Sequence, residues 1–216
     1  MTRSSPFAPP MALTAALILA ALLSGGCSRA RPEIIPHKTM VMNFATPPDY
    51  KAGFTLHGWW FTSRDHRRNE NIGILFADQL ARALAPLPEV DVYPRLDLRY
   101  YLDAKRKSLD AAYPNLTEEQ RDRLFGEIPP LTFARDRGCD VLVVGDIFDS
   151  YVVHHRTIHW WQGVLRGEVR FLDVRTGEEL ARYQFSERDN FKSQMAMCEK
   201  VAARIARKLH KSRLLR

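Results

Sequence analysis

The chain has 216 residues, of which 45% are hydrophobic, 10% aromatic and 26% charged; this excludes an intrinsically disordered polypeptide and leaves room for one domain with a proper core. The formal net charge of +7 is unevenly placed, because residues 192–216 hold eight Lys or Arg against the single acid Glu199, whereas residues 27–191 sum to −1. A basic tail on a near-neutral body removes the main support for general nucleic-acid binding.

The first segment reads as a targeting sequence. Arg3 and the amino terminus supply a positive start, and an apolar stretch of 13 residues runs from Met11 to Leu23. A helix needs roughly 20 residues to span a hydrocarbon core. A short apolar run with a small-residue exit instead describes a secretory signal peptide over residues 1–26. Leu22-Leu23-Ser24-Gly25-Gly26-Cys27 resembles the bacterial lipobox, which implies cleavage before Cys27 and diacylation of its thiol. Ser24 stands where that motif usually holds Leu, Val or Ile; the alternative is a plain secreted chain cut near Gly26. In lipoprotein sorting, Asp after the Cys signals inner-membrane retention. Ser28 stands here, so the resemblance implies the periplasmic face of the outer membrane.

Residues 27–37, interrupted by Pro32 and Pro36, are expected to form a short tether ahead of a domain over residues 38–216. Ten extended residues reach only ~35 Å. Lys38 to Phe44 alternates as a strand, with Met40, Met42 and Phe44 on one side. Residues 45–68 show no clear period and contain Trp59-Trp60. Ile72, Phe76, Leu80 and Leu84 recur at helical spacing, so a helix is expected from about Asn69 to Ala85, ended by Pro86 and Pro88. Glu89 to Tyr93 is a short strand and Leu96 to Leu109 a helix. Thr117 and Gln120 form a capping box for a helix through Phe125, and another short helix follows Pro129-Pro130. Val141 to Val144 is continuously apolar, as in a strand covered on both faces. Three β segments then follow, Phe148 to His155, Gly163 to Val174 and Glu179 to Glu187, the last two joined by a turn at Arg175-Thr176-Gly177-Glu178. A helix from about Phe191 to Leu209 closes the chain. The expected fold is a single α/β domain: a mixed β-sheet flanked by helices, with a C-terminal β-hairpin and a closing amphipathic helix.

This order of pieces, with Gly138-Cys139-Asp140-Val141-Leu142-Val143-Val144-Gly145 and the Asp173-Val174-Arg175-Thr176-Gly177-Glu178 hairpin, resembles the bacterial envelope lipoproteins related to the curli-secretion lipoprotein CsgG and the penicillin-binding-protein activator LpoB. The N-terminal domain of TolB shares their fold. The resemblance spans residues 38–210. Two departures limit what it implies. Residues 148–187 carry Arg156, Arg166, Arg170 and Arg182, which suit a soluble sheet rather than a transmembrane barrel wall, and the short tether does not match the long one of the synthase activator. What the resemblance implies is the general role of an anchored module that recruits or assembles envelope proteins, with self-association into a homo-oligomer as one form of it.

No nucleophile elbow, phosphate loop, dinucleotide fingerprint or metalloprotease motif is present in the sequence. No catalytic residue, metal site or cofactor is therefore expected. His154, His155 and His159 are weighed as a metal set, and Asp146 with Asp149 as an acid pair; solvated or hydrogen-bonded side chains are the simpler account of both. Cys139 and Cys198 either form a disulfide, worth ~4 kcal/mol in the chain-entropy view, or are two buried thiols. The pairs Trp59-Trp60 and Trp160-Trp161 fill the core or serve an interface. On the last helix, Lys200, Arg204, Arg207, Lys208 and Lys211 form a basic stripe opposite Cys198, Val201, Ala202, Ile205 and Leu209. That stripe faces water or contacts anionic lipid or polymer.

Overall fold

The computed structural model describes residues 34–51, 53–57, 64–155, 159–212 and 215. The leader, Cys27, residues 27–33 of the tether, Trp59, Trp60 and Arg156 lie outside the described residues. Seven strands form one mixed sheet: β1 His37–Val41, β2 Gly53–His57, β3 Arg64–Arg68, β4 Val90–Val92, β5 Val141–His155, β6 Trp160–Asp173 and β7 Glu179–Asn190. Among the described residues five helices accompany it: α1 Ile72–Leu84, α2 Arg95–Ala112, α3 Glu118–Glu127, α4 Pro130–Asp136 and α5 Gln194–Ser212. The fold class read from the sequence is the one observed.

β5 organises the sheet. Along one flank it pairs antiparallel with β6, which in turn pairs with β7. Its other flank is shared: residues 141–143 pair parallel with β1, and residues 152–155 pair antiparallel with β3. β4 extends the sheet beyond β1, and β2 extends it beyond β3. The sequence places a break between Val144 and Phe148, but the strand is continuous. A register shift between Ile147 and Asp149 leaves Phe148 as an unpaired bulge residue, half-exposed. β2 and β3 fall in the region without period. The sequence Arg64-Asp65-His66-Arg67-Arg68 has no apolar alternation, so its strand exists through backbone pairing to β5.

Each face of the sheet carries its own core. Val41, Phe44, Val143, Ile147, Leu165, Val169 and Phe171 pack on one side under α1 and α5. Met40 and Leu142 point the other way, toward Leu98 and Tyr101 of α2 and Phe133 of α4. Phe44 joins Val41's side rather than Met40's, a correction to the expected alternation, because β1 ends at Val41. Beyond Val144 the second face becomes polar. There Arg170 pairs with Asp146 and Glu168, and Arg182 with Glu168 and Glu179.

Local signals hold where the geometry is local. The Thr117–Gln120 capping box is formed in both directions. Gly177 takes φ 79° in the β6–β7 turn, with the Asp173 carboxylate accepting from the amides of Arg175 and Thr176. α4 ends in a Schellman arrangement. Gly138 has φ 60°, its amide donates to Arg135 O, and the Cys139 amide donates to Ala134 O. That arrangement turns Cys139 into the core beside Ala134.

Candidate functional site

The disulfide alternative is corrected by this packing. Both thiols are free and buried, Cys139 in the cluster under α2 and α4 and Cys198 in the cluster under α5, with the sheet between them. A bridge requires Cα atoms within ~7 Å. Burial raises both thiols, Cys198 to about 12, so neither is a reactive thiolate at neutral pH.

The weighed catalytic and metal sets are dispersed. Asp146 pairs with Arg170 at 3.3 Å and Asp149 with Arg68 at 3.5 Å. His154 and His155 are consecutive on β5 and point to opposite faces, and His159 sits in the turn that opens β6 with φ 48°.

The basic stripe on α5 is partly consumed by the sheet. Lys200 Nζ lies 2.8 Å from Asp189 Oδ2 and 3.3 Å from Glu187 Oε2, and Arg204 donates to Glu187 Oε1. Glu187 and Asp189 lie on β7 opposite Leu165 and Gly163, on the face that α5 covers. Arg207, Lys208 and Lys211 remain exposed. Of the two forces holding α5, burial is the larger: Met197, Val201, Ile205 and Leu209 are each worth about 1.5–3 kcal/mol when fully buried, against at most about 1 kcal/mol for a surface ion pair.

The ion pairs nevertheless add a pH dependence. Hydrogen bonds from Arg204 and Lys200 hold the Glu187 and Asp189 carboxyls below their ordinary values. A depressed acid stabilises the fold above its unfolded value and loses that contribution as pH falls through the folded value. The melting temperature is expected to drop below about pH 4, and Glu187→Gln is expected to flatten that drop. An unchanged acid limb in the variant would remove Glu187 from the account.

The last aromatic pair leads to an exposed site. Register places His155 opposite Trp160 and His154 opposite Trp161, at the far end of β5. The His155 and Trp160 rings lie 4.6 Å apart. Trp160 is half-buried, while Trp161 on the other face is exposed. Phe191 meets Trp161 edge-on at 5.0 Å, and its amide donates to Trp161 O at 2.9 Å. Phe191 is 58% exposed and holds φ 57°, a left-handed backbone that is an outlier for a bulky residue. Met195, four positions on in the first turn of α5, is also half-exposed. The sequence places Phe191 inside the closing helix. In the structure that helix starts at Gln194, with Ser193 Oγ accepting from the Ala196 amide. Nothing local in the sequence marks Phe191's conformation, and its amide bonds to Trp161 on a strand distant in sequence.

This site lies away from the N-terminal entry. Thr39 of β1 pairs with Val141, the first residue of β5, while the aromatics gather around His155, its last. The 15 residues of β5 span roughly 50 Å.

No family model and no curated protein matches the chain. Among solved structures it is similar to lipoprotein GNA1162 from Neisseria meningitidis, at 14% identity and TM-score 0.48, over 82% of this chain and 99% of that one. It is also similar to the PelC dodecamer from Paraburkholderia phytofirmans, at 10% identity and TM-score 0.47, over 79% and 85% of the two chains. A third similar structure is the LpoB C-terminal domain from Salmonella enterica, at 12% identity and TM-score 0.32, over 82% and 94%. Bacterial lipoproteins are thus among the structures similar to this one.

Proposed function

We propose that the chain is an envelope lipoprotein, anchored through Cys27 after removal of residues 1–26, that binds other envelope proteins as a non-enzymatic accessory or assembly module. Phe191 carries this reading. A left-handed backbone costs an L-residue roughly 1–2 kcal/mol, and an exposed aromatic recovers little of that by burial. A strained aromatic displayed against exposed Trp161 fits a surface that buries itself on a partner. The partner is another envelope protein or a second copy of the chain. Residue Ser28 supports the periplasmic face of the outer membrane. A second reading, contact with anionic lipid or polymer, keeps Arg207, Lys208 and Lys211 as its exposed cations.

Crosslinking in intact envelopes tests the first reading. Trp161→Ala with Phe191→Gly is expected to abolish the crosslinked species. Glycine accepts the left-handed backbone, so Phe191→Gly alone is expected to hold stability within about 1 kcal/mol. Recovery of the native protein only as a partnerless monomer would overturn the reading.

A further inference from the structure

A second surface, at the other edge of the sheet, carries a chemistry of its own. α1 packs on one face and α2 on the other, and a cleft of about 380 Å³ touches both by passing around the sheet edge at Val92. Its walls hold Arg82 and Asp78 from α1 and Arg95, Leu96 and Arg99 from α2.

Charge in this cleft is unbalanced. Asp78 accepts from Arg95 Nε and Arg99 Nη2, both at 2.8 Å. Arg95 is otherwise occupied, since Nη1 donates to Val41 O and Nη2 to Asn43 Oδ1. One carboxylate thus faces three guanidinium groups, and Arg82, exposed in the last turn of α1, has no ion-pair partner among the described residues. Arg99 is half-exposed even while paired. Beside these cations, Leu96 and Tyr100 stand one helical turn apart on α2, 59% and 65% exposed.

The strand at the cleft has a free flank. The His37 amide donates to Glu89 O at 3.0 Å and the Tyr93 amide to Thr39 O at 2.8 Å, so Glu89 and Tyr93 turn their groups toward β1. Strand alternation then directs the Val92 N–H and C=O outward. The Val90 amide is satisfied by Leu87 O, and no described strand pairs with β4 on that side.

We propose that this edge docks an extended acidic segment of a partner protein, which adds a short strand to β4. Its carboxylates would meet Arg82 and Arg99, and its apolar side chains would rest on Val92 and Leu96. Charge complementarity selects the occupant, because excess guanidinium beside an open strand edge favours an acidic chain over a neutral or basic one. The inference rests on the accessory-module reading and names a second contact surface for it.

The test uses the full-length chain in detergent micelles and a fluorescent eight-residue peptide alternating Glu and Val, with Gln–Val and Lys–Val counterparts. Saturable anisotropy is expected for the Glu–Val peptide, with affinity at least about tenfold weaker for the Gln–Val peptide and no binding of the Lys–Val one. Arg82→Glu is expected to weaken the Glu–Val peptide by about tenfold or more. Val92→Pro, which deletes the outward N–H at an edge where proline is tolerated, is expected to do the same with the arginines intact. If circular dichroism shows Val92→Pro unfolded, Leu96→Asp on the exposed wall takes its place, with the same loss expected. Equal binding of Glu–Val and Lys–Val peptides, or indifference to Arg82→Glu, overturns the proposal. Envelope crosslinks that survive Arg82→Glu but vanish with Trp161→Ala would overturn this edge while leaving the accessory-module reading in place.

Discussion

Cys27→Ser is expected to move the protein from the membrane pellet to the soluble periplasmic fraction and to abolish incorporation of labelled palmitate. Among the described residues no helix is long and apolar enough to cross a membrane. The 13-residue, largely apolar stretch from Met11 to Leu23 is also short of the roughly 20 needed. Attachment would then rest on acyl chains. Each buried CH₂ is worth about 0.8 kcal/mol, and one chain alone gives only marginal binding, so diacylation separates stable anchoring from release. The effect should be close to all-or-none. If the variant stays in the pellet after a carbonate wash, or the native chain takes up no label, the lipid assignment is wrong.

Gly145→Ala is expected to cost at least about 3 kcal/mol, enough to lower the melting temperature by 10 °C or so in a domain of this size. A Cβ at position 145 would sit 2.1 Å from Glu168 O and 2.4 Å from the Phe44 ring. The carbonyl belongs to the neighbouring strand β6 and cannot retreat without opening the β5–β6 ladder. Phe44 is held by Phe76 at 4.8 Å and cannot retreat either. Gly73 meets the same residue from the other side, where a Cβ would lie 2.1 Å from Phe44 O. Gly73→Ala should therefore be comparably costly. Both changes displace Phe44, so the double variant is expected to be less destabilised than the two costs added. Denaturant unfolding of the four proteins measures this. A cost below about 1 kcal/mol for Gly145→Ala would mean that the backbone around Phe44 yields far more readily than the packing implies.

What was legible in the sequence was short-range. Ile72, Phe76, Leu80 and Leu84 announce the buried stripe of α1, and Thr117 with Gln120 announce the cap of α3. The continuous run Val141 to Val144 correctly reports a strand covered on both faces. Each signal involves residues a turn or two apart, so sequence spacing maps directly onto spatial neighbourhood. β3 was invisible because its five residues are polar and its stability comes from pairing with β5, more than 80 positions away. The basic stripe of α5 was real as a helical pattern, yet its role depended on Glu187 and Asp189 of β7, which the register of β6 and β7 brings under the helix.

By itself the sequence determined the lipobox-like Cys27, the α/β class and most helices, because propensity, capping and periodicity act over a few residues. The tertiary structure alone decided that Cys139 and Cys198 lie on opposite faces of the sheet, that Phe191 is displayed against Trp161, and that Arg82 and Arg99 flank an open strand. Those outcomes follow from strand register and layer order. Both are set by contacts between distant parts of the chain, for which no local pattern stands in.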